Sequence, residues 1–401
     1  MDILTKLYDM TALGELAASP GTLLMLLIAF GLLYLGIQKR YEPLLLVPIA
    51  FGLMLANFPG GNMAVVPATA ENNITHLTIL EIAKEYGIMN MLYYALIKTG
   101  LLPPLIFMGV GAMTDFGPML RNLRLAFFGA AAQIGIFTVL FAAVLLGFTP
   151  QQAGALGIIG GADGPTAIYT SIILAPELLG PIAIAAYSYM ALVPVIIPLV
   201  VRFTVTEKDL KIHMKKQDKT HPDKLKIKNL RAVKIAFPIT LAVVVSLLVP
   251  SAVPLLGMLL FGNLVKEIGA DTSRLFDAAA NTIMNAATIF LGLTVGATMT
   301  SETFLNTTTL AIVAGGFLAF AISIAGGIFA VRIFNLFTKK KINPLIGATG
   351  LSAVPMASRV ANEIALKHDP SNHILQYAMS SNISGVIGSA VAAGVLISLL
   401  G

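Results

Sequence analysis

Residues 154–171 read GALGIIGGADGPTAIYTS, and this stretch decides the fold class. It is apolar enough to enter a membrane, yet the glycine pair 160–161 and the pair Gly164-Pro165 interrupt any regular helix. Asp163 lies inside that interruption. Backbone that unwinds at membrane depth must face protein, water or an ion, and a carboxylate placed there indicates a function. The stretch therefore predicts a polar cavity inside a membrane protein.

The composition of the whole chain agrees with this interpretation. Of 401 residues, 57% are hydrophobic and 11% are charged, whereas a soluble domain carries about 25% charged residues. Most of the outer surface must face lipid, so we predict an all-α polytopic membrane protein. The net charge of +6 is concentrated at segment ends and in one linker, which argues against nucleic-acid binding. The lack of Cys excludes disulfides, iron–sulfur clusters and thiol catalysis, and the five His residues show no metal-binding spacing.

Apolar stretches of about 20 residues predict 11 membrane spans. They fall near 21–38, 42–58, 88–114, 123–147, 151–175, 180–202, 232–258, 275–299, 308–336, 342–367 and 373–400. The N-terminus is interpreted as an amphipathic lead-in, because it has no cleavage site of the signal-peptide type. By the predicted span count, the N-terminus and the basic linker lie on the same side of the membrane. Lys and Arg are somewhat more numerous on that side, which favours a cytoplasmic N-terminus.

A polar, Lys-rich linker at 203–231 divides the chain almost in half, and short motifs recur on either side of it. They are KEYG at 84–87 with KEIG at 266–269, IFMG at 106–109 with IFLG at 289–292, GIIGGADGP at 157–165 with LIGATGLSAVP at 345–355, and Ala175-Pro176 with Asp369-Pro370. The constant order predicts a duplication, with membrane repeat 1 at 41–202 and membrane repeat 2 at 232–401, after a lead-in and extra helix at 1–40. Five spans in each repeat would make the two repeats inverted. Chance similarity among Gly- and Ala-rich helices is the alternative.

In the first repeat, Asp163 and its neighbours form an all-oxygen set. Glycine carbonyls and the Thr166 hydroxyl accompany the carboxylate, and such hard ligands suit Na⁺ or H⁺. The alternative is that Asp163 only caps the helix that begins at Pro165.

The second repeat joins glycines, a proline and neutral oxygens at the matching place, without an acid. The oxygen side chains are those of Asn343, Thr349 and Ser352. Arg359 follows, with Glu363 four residues later. The pair is either an ordinary helix ion pair or part of an anion site for a carboxylate substrate.

The last span of each repeat contains further polar side chains. Tyr189 and Asn382 occupy matching places, and Ser384 and Ser389 lie on the same span as Asn382. Buried serines often serve only close helix packing. An amide in hydrocarbon needs partners, and Asn281 and Asn285 are candidates for that role or for further ligands.

Three stretches carry a specific resemblance: GGADGPTAIYTS at 160–171, NPLIGATGLSAVPMASRV at 343–360 and SNISGVIGSAVAAGVL at 381–396. They resemble the signature regions of the β-subunit of sodium-pumping, biotin-dependent decarboxylases, the family that acts on oxaloacetate, methylmalonyl-CoA and glutaconyl-CoA. The resemblance covers nearly the whole chain; the region 59–80 looks like a variable insertion. It implies a multi-pass subunit of the bacterial inner membrane that decarboxylates carboxybiotin and couples the reaction to Na⁺ export. The implied partners are a biotin carrier, a carboxyltransferase α-subunit and a small membrane subunit of the γ/δ type, in an oligomeric complex.

The resemblance also implies roles for individual residues. The implied set is catalytic Asp163, Tyr189 and Arg359, carboxybiotin contacts by Arg359, Ser352 and Asn343, and Na⁺ contacts by Asp163, Asn343, Gly347, Ser352 and Asn382. In physical terms, Arg359 would bind the carboxylate, and Tyr189 beside Asp163 would carry the proton that decarboxylation consumes. The rival hypothesis is a sodium-coupled secondary transporter, either an organic-anion symporter or a Na⁺/H⁺ exchanger, with no decarboxylase activity.

Overall fold

The computed structural model describes residues 11–40, 42–68, 72, 74–221, 229–353 and 355–401, except for the side chain of Ala191. The start of the predicted lead-in, part of the segment 59–80 and residues 222–228 of the linker lie outside the described residues. The described chain is built of helices, without strands. They are α1 Leu13–Ala18, α2 Pro20–Ile37, α3 Pro43–Ala56, α4 Ile79–Tyr86, α5 Ile88–Leu92, α6 Leu102–Met113, α7 Gly117–Arg121, α8 Leu123–Ala132, α9 Ile134–Leu145, α10 Pro150–Gly157, α11 Gly164–Leu174, α12 Leu179–Thr204, α13 Glu207–Leu210, α14 Met214–Thr220, α15 Leu230–Leu248, α16 Val253–Ile268, α17 Ser273–Asp277, α18 Met284–Ala297, α19 Ser301–Phe304, α20 Thr307–Phe337, α21 Met356–His368 and α22 Leu375–Leu400.

Within the described residues, 7 helices are long and apolar enough to cross a membrane, or up to 9 if each of two bent pairs is one span. The seven are Pro20–Ile37, Leu123–Leu145, Leu230–Leu248, Pro250–Ile268, Ala270–Ala297, Thr307–Phe337 and Leu375–Leu400. The bent pairs are Ile88–Ile97 with Leu102–Met113, at 66°, and Pro176–Met190 with Leu192–Thr204, at 68°. The all-helical membrane class is confirmed, whereas the count of 11 and the inversion of the repeats remain predictions.

Two predicted spans are broken segments in the structure. The stretch 151–175 consists of α10, a 3₁₀ turn at Ile158–Gly161 and α11. The stretch 342–367 consists of a 3₁₀ segment at Pro344–Thr349 and the amphipathic helix α21. Gly and Pro stop the regular helix in both places, so neither stretch crosses as one rod.

Two other predicted spans differ in extent. The stretch 232–258 contains most of α15 and the start of α16, separated by a 3₁₀ turn at Pro250–Ala252. The hydropathy pattern predicted a single span because the turn between the two helices is also largely apolar. In the structure, α15 ends before Pro250. The stretch 42–58 becomes the 14-residue helix α3, which is shorter than the roughly 20 residues of a full crossing.

The chain forms two compact units, and each unit draws on both halves of the sequence. Unit 1 comprises Met1–Leu102 and Asn285–Val313, and unit 2 comprises Pro103–Met284 and Ala314–Gly401. The units therefore do not coincide with the two sequence repeats.

Glycines set the helix packing in each unit at matching places of the two halves. In unit 1, a Cβ on Gly296 of α18 would lie 2.1 Å from the Ile49 carbonyl oxygen of α3. In unit 2, a Cβ on Gly111 of α6 would lie 1.8 Å from the Leu259 carbonyl oxygen of α16. Gly111 and Gly296 follow the recurring IFMG and IFLG motifs by a few residues, so the same small residue allows the same kind of close backbone contact twice.

Unit 2 contains both broken segments, and its C-terminal helix α22 lies against each of them. The C-terminal helix α22 packs along α8 and against α11, the 3₁₀ segment Pro344–Thr349 and α21. Its buried face carries Ser381, Asn382 and Ser389 among apolar side chains. Helix α22 therefore brings polar side chains to both interrupted stretches of unit 2.

Candidate functional site

Asp163 is held in place by a tightly specified break between α10 and α11. The 3₁₀ turn Ile158–Gly161 ends at Ala162, whose φ of 56° is in the left-handed region although it carries a side chain. Such a conformation costs of order 1 kcal/mol or more and persists only where the surroundings enforce it. Gly164 and Pro165 then begin α11, with Asp163 at its N-cap.

The Asp163 carboxylate is buried, with 6% of the residue exposed. Its Oδ1 accepts a hydrogen bond of 3.2 Å from the Thr166 amide, and its Oδ2 accepts one of 2.9 Å from Ser389 Oγ. The helix-capping role is thus real, but it occupies only one of the two oxygens. In the described part of the chain, no Lys, Arg or His pairs with this carboxylate. A buried carboxylate without a basic partner needs a proton or a bound cation.

Serine hydroxyls connect Asp163 to the second broken segment. Ser389 Oγ lies 2.7 Å from Ser352 Oγ, and either atom could be the donor. The Ser352 amide donates to the Gly161 carbonyl at 3.1 Å, and Ser352 Oγ donates to the Gly385 carbonyl at 3.2 Å. The structure therefore brings Asp163, Ser352 and Ser389 together, from three stretches that are far apart in sequence.

Three buried oxygens near this break make no hydrogen bond within the described residues: Thr166 Oγ1, Gln133 Oε1 and Tyr187 OH. The Tyr187 ring lies directly on Gly164, where a Cβ would fall 2.3 Å from Tyr187 Cε1. Hydroxyl, amide and carboxylate oxygens are the hard ligands that suit Na⁺. The donor set present at the break fits that cation.

Tyr189, the tyrosine predicted from sequence, lies on another side of α12. Its ring packs against those of Phe317 and Phe320, with centroids 6.0 and 5.7 Å apart. Residues two apart on a helix point to different sides, so Tyr187 rather than Tyr189 packs on Gly164 beside the carboxylate.

Asn343 begins the second broken segment and contacts the linker. Its Oδ1 accepts from the Leu345 amide at 3.0 Å, and its Nδ2 donates to the carbonyls of Leu210 and Ile212, both at 3.1 Å. All of its polar side-chain atoms are therefore engaged away from Asp163. Residues 206–221 of the linker thus form ordered structure on unit 2.

Gly347 and Thr349 continue this segment with packing contacts. A Cβ on Gly347 would lie 2.1 Å from the Gly327 carbonyl oxygen of α20. Thr349 Oγ1 contacts the carbonyls of Ile346 and Ala378, at 2.7 and 2.9 Å. Both positions are buried and hold the segment against its neighbouring helices.

Asn382 is fully buried and also ties elements together. Its Nδ2 donates to the Leu351 carbonyl, and its Oδ1 accepts from Ser358 Oγ at 3.2 Å. These partners are not Asn281 or Asn285, which are both exposed. Asn281 bonds instead to Asp277 Oδ1 at 3.3 Å.

The remaining predicted residues lie at the edge of this arrangement. Ser384 Oγ donates to the Ala126 carbonyl, which fixes α22 to α8. Arg359 is exposed on α21, and among the described residues it forms no ion pair with Glu363. Its guanidinium is consequently open to an anion that arrives from outside the protein.

Sequence reasoning missed Gln133 as a site residue and did not assign Tyr187. Gln133 could have been found by the rule that singled out Asp163, because it is the one strongly polar side chain inside the otherwise apolar stretch 125–137. The sequence pattern does not show whether Tyr187 or Tyr189 faces Gly164, since only the rotation of α12 decides it.

The chain has close relatives of known family. Residues 21–400 match the family described as Na⁺-transporting oxaloacetate decarboxylase beta subunit. The chain is 48% identical over 394 residues to the methylmalonyl-CoA decarboxylase subunit beta of Propionigenium modestum, covering 97% of each chain. It is 45% identical to a probable oxaloacetate decarboxylase beta chain of Vibrio cholerae, over 93% of this chain and 94% of the relative. It is 43% identical to the oxaloacetate decarboxylase beta chain of Klebsiella pneumoniae, over 96% of both. The chain therefore belongs to the family of Na⁺-transporting decarboxylase beta subunits.

Proposed function

We propose that this chain is the membrane subunit that removes CO₂ from carboxybiotin on a partner protein and uses the reaction to export Na⁺. The observation that carries the proposal is the buried Asp163 carboxylate, which among the described residues has a hydroxyl partner but no basic one. Family membership supports the same activity, because the relatives are named as decarboxylase β-subunits. The EC class would be that of a translocase.

The cation would bind at the break between α10 and α11. Asp163 supplies the negative charge, while Ser389, Ser352 and Thr166 supply neutral oxygens around it. Asn382 holds the adjacent Leu351 carbonyl. The contacts of Asn343 and Gly347 favour a supporting role, so we propose that both act by fixing the second broken segment.

Arg359 would bind the carboxylate of carboxybiotin, because its guanidinium is exposed and its fork matches a carboxylate. When carboxybiotin loses CO₂, the carbon–nitrogen bond breaks, the electron pair remains on the ureido nitrogen, and that nitrogen takes up one proton. The group of the protein that donates this proton must afterwards be reprotonated from water. Tyr187 packs beside Asp163, and Tyr189 lies two residues further on α12, so both phenols are candidates for this route.

Asp163 would couple the two processes through its own charge. The ionised carboxylate attracts Na⁺, and the protonated form releases it. Moving one charge against 100 mV costs about 2.3 kcal/mol, which irreversible loss of CO₂ can drive. Inverted repeats, with 11 crossings in all, would provide alternating access to the site from the two sides of the membrane, with the N-terminus in the cytoplasm.

The partners would be a biotin carrier, a carboxyltransferase α-subunit and a small membrane subunit in an oligomeric complex. The test is to purify the chain with its native partners from the inner membrane and probe for a co-eluting biotinylated protein. The complex is then placed in vesicles, and ²²Na⁺ uptake is measured on addition of oxaloacetate or methylmalonyl-CoA. We expect uptake that avidin stops and that avidin saturated with free biotin leaves intact.

The opposite result would assign a different function. If no biotinylated protein co-elutes, and the isolated chain carries an organic anion or exchanges Na⁺ for H⁺ without decarboxylation, the chain is a secondary transporter.

A further inference from the structure

Gln133 lies in the middle of an apolar crossing, at the junction between α8 and α9. Only 6% of the residue is exposed. An amide at that depth costs free energy unless both its nitrogen and its oxygen find partners. Its surroundings therefore indicate what the side chain does.

The amide nitrogen of Gln133 faces three backbone carbonyls. Nε2 lies 3.0 Å from the Gly129 oxygen, 3.3 Å from that of Gly350 and 3.4 Å from that of Gly385. Rotating the amide by 180° would place its oxygen against three other oxygens, so these contacts determine its orientation. Gln133 thereby joins α8, the second broken segment and α22 through its nitrogen alone.

The amide oxygen consequently points to the other side, and it is buried without a hydrogen-bond partner among the described residues. A Cβ on Gly161 would lie 3.6 Å from Gln133 Oε1 and 3.0 Å from Ser389 Cβ. Ser389 Oγ in turn donates to Asp163 Oδ2. Gln133 Oε1 and Ser389 thus both lie against Gly161, beside the carboxylate that Ser389 contacts.

We propose that Gln133 Oε1 is a ligand of the monovalent cation held at Asp163. The inference rests on the proposed function, because it takes Asp163 as a cation site. Among the described residues, the amide oxygen has no hydrogen-bond donor and the carboxylate has no basic partner. Each of these buried oxygens therefore needs a positive partner, and one small cation between them satisfies both. The three carbonyls that orient Nε2 keep the oxygen aimed at the site before the cation arrives, which lowers the cost of binding.

The experiment uses the full chain in detergent, and it measures the rise of Tm with Na⁺ concentration at constant ionic strength, with choline as the replacing cation. Gln133→Met removes the oxygen at nearly constant volume. We expect it to raise the Na⁺ concentration that gives half of the Tm rise by about tenfold or more, as for the loss of one oxygen from the shell of a charged group. Gln151→Met is the matched control, since Gln151 is exposed at the start of α10; it should leave the half-saturating concentration unchanged.

A second variant covers a failure of Gln133→Met to fold. Gln133→Lys keeps a donor for the carbonyls and places a fixed positive charge near Asp163, so its Tm should no longer depend on Na⁺. If either folded variant keeps the half-saturating Na⁺ concentration of the unaltered chain, while Asp163→Asn loses the response, Gln133 is not a ligand and the proposed function stands. If the unaltered chain shows no Na⁺ response, the sodium site itself is wrong.

Discussion

The two broken segments of unit 2 look alike in sequence and differ in how their polar groups are used. In residues 158–166, Asp163 spends one oxygen on a helix cap and turns the other to Ser389. In residues 343–353, the Asn343 amide nitrogen and the Thr349 hydroxyl donate to backbone carbonyls, and the Asn343 oxygen accepts from the Leu345 amide. Only Ser352 reaches the hydroxyls at Asp163. The comparison indicates that the first segment, residues 158–166, carries the charge of the candidate site. The second segment, residues 343–353, is fixed by its hydrogen bonds and packs beside that charge.

The largest expected effect comes from removing that charge. Asp163→Asn keeps the N-cap, because Asn caps helices as well as Asp, so the chain should fold. We expect Na⁺-dependent decarboxylation by the assembled complex to fall by at least about 100-fold, since the cation loses its only charged ligand in the described site. The Tm rise with Na⁺ should vanish as well.

The control for that experiment is Asp271→Asn, which removes an exposed carboxylate and should leave both readouts unchanged. Retention of sodium-dependent turnover by Asp163→Asn in an intact complex would contradict the assignment of charge to the first segment.

The second segment predicts an intermediate effect of a different kind. Asn343→Ala removes both bonds to the linker carbonyls of Leu210 and Ile212, so we expect a loss of about 2–3 kcal/mol in the free energy of unfolding. Trypsin should cleave faster after Lys211, Lys215 or Lys216, which are exposed on this part of the linker. The half-saturating Na⁺ concentration of the folded fraction should stay within about twofold of the original.

The contrary outcome would restore the role that the family resemblance assigns to Asn343. A Na⁺ half-saturation that rises tenfold, with trypsin cleavage and Tm unchanged, would make Asn343 a ligand and would remove the distinction between the two segments. Thr220→Ala is the control, because Thr220 is exposed and bonds only within α14.

Much of the architecture was predictable because membranes impose strict rules on sequence. The apolar stretches gave the membrane class, and Gly-Gly and Gly-Pro located the break at Asp163, since backbone interruptions are visible in the residue types themselves. Hydropathy failed where two helices meet through an apolar turn, as at Pro250, and where an interrupted stretch is apolar overall, as at 342–367.

The site was only partly predictable, for a different physical reason. Asp163, Ser352 and Ser389, which the structure brings together, were all among the predicted residues, because polar side chains in apolar surroundings stand out. Their partners depend on helix rotation and on long-range packing, which no local pattern contains. The same limit explains why Tyr187 rather than Tyr189 packs on Gly164. It also explains why the bonds of Asn343 to the polar, Lys-rich linker were not predicted.

The smallest effect concerns the carboxylate of Asp115 at the end of α6, which has a basic partner. Asp115 follows α6, and its carboxylate accepts from Lys234 Nζ at 2.7 Å and from the Gly117 amide at 2.9 Å. Burial raises the pKa of Asp115, but the hydrogen bond and charge of Lys234, the Gly117 amide and the charge of Lys266 together outweigh it and hold the pKa below its ordinary value of 3.8. A lowered pKa in the folded state stabilises the protein above pH 3.8, and this contribution is lost as the pH falls through the lower, folded-state value.

Lys234→Met removes this ion pair and the 3.1 Å pair of Lys234 with Glu267. It should therefore lower the Tm at pH 7 by about 1–2 °C, the size expected for partly exposed ion pairs. The deficit should narrow as the pH approaches 3.8 and falls below it, because the carboxylate becomes protonated in both proteins. Lys219→Met, which removes an exposed charge from the linker, should show no such pH dependence. A deficit that widens towards low pH, or a changed Na⁺ half-saturation, would mean that this paired carboxylate is not independent of the unpaired one at Asp163. The expected result instead separates the two kinds of carboxylate, since a carboxylate with a lysine partner stabilises the fold at neutral pH and one without it is available to bind a cation.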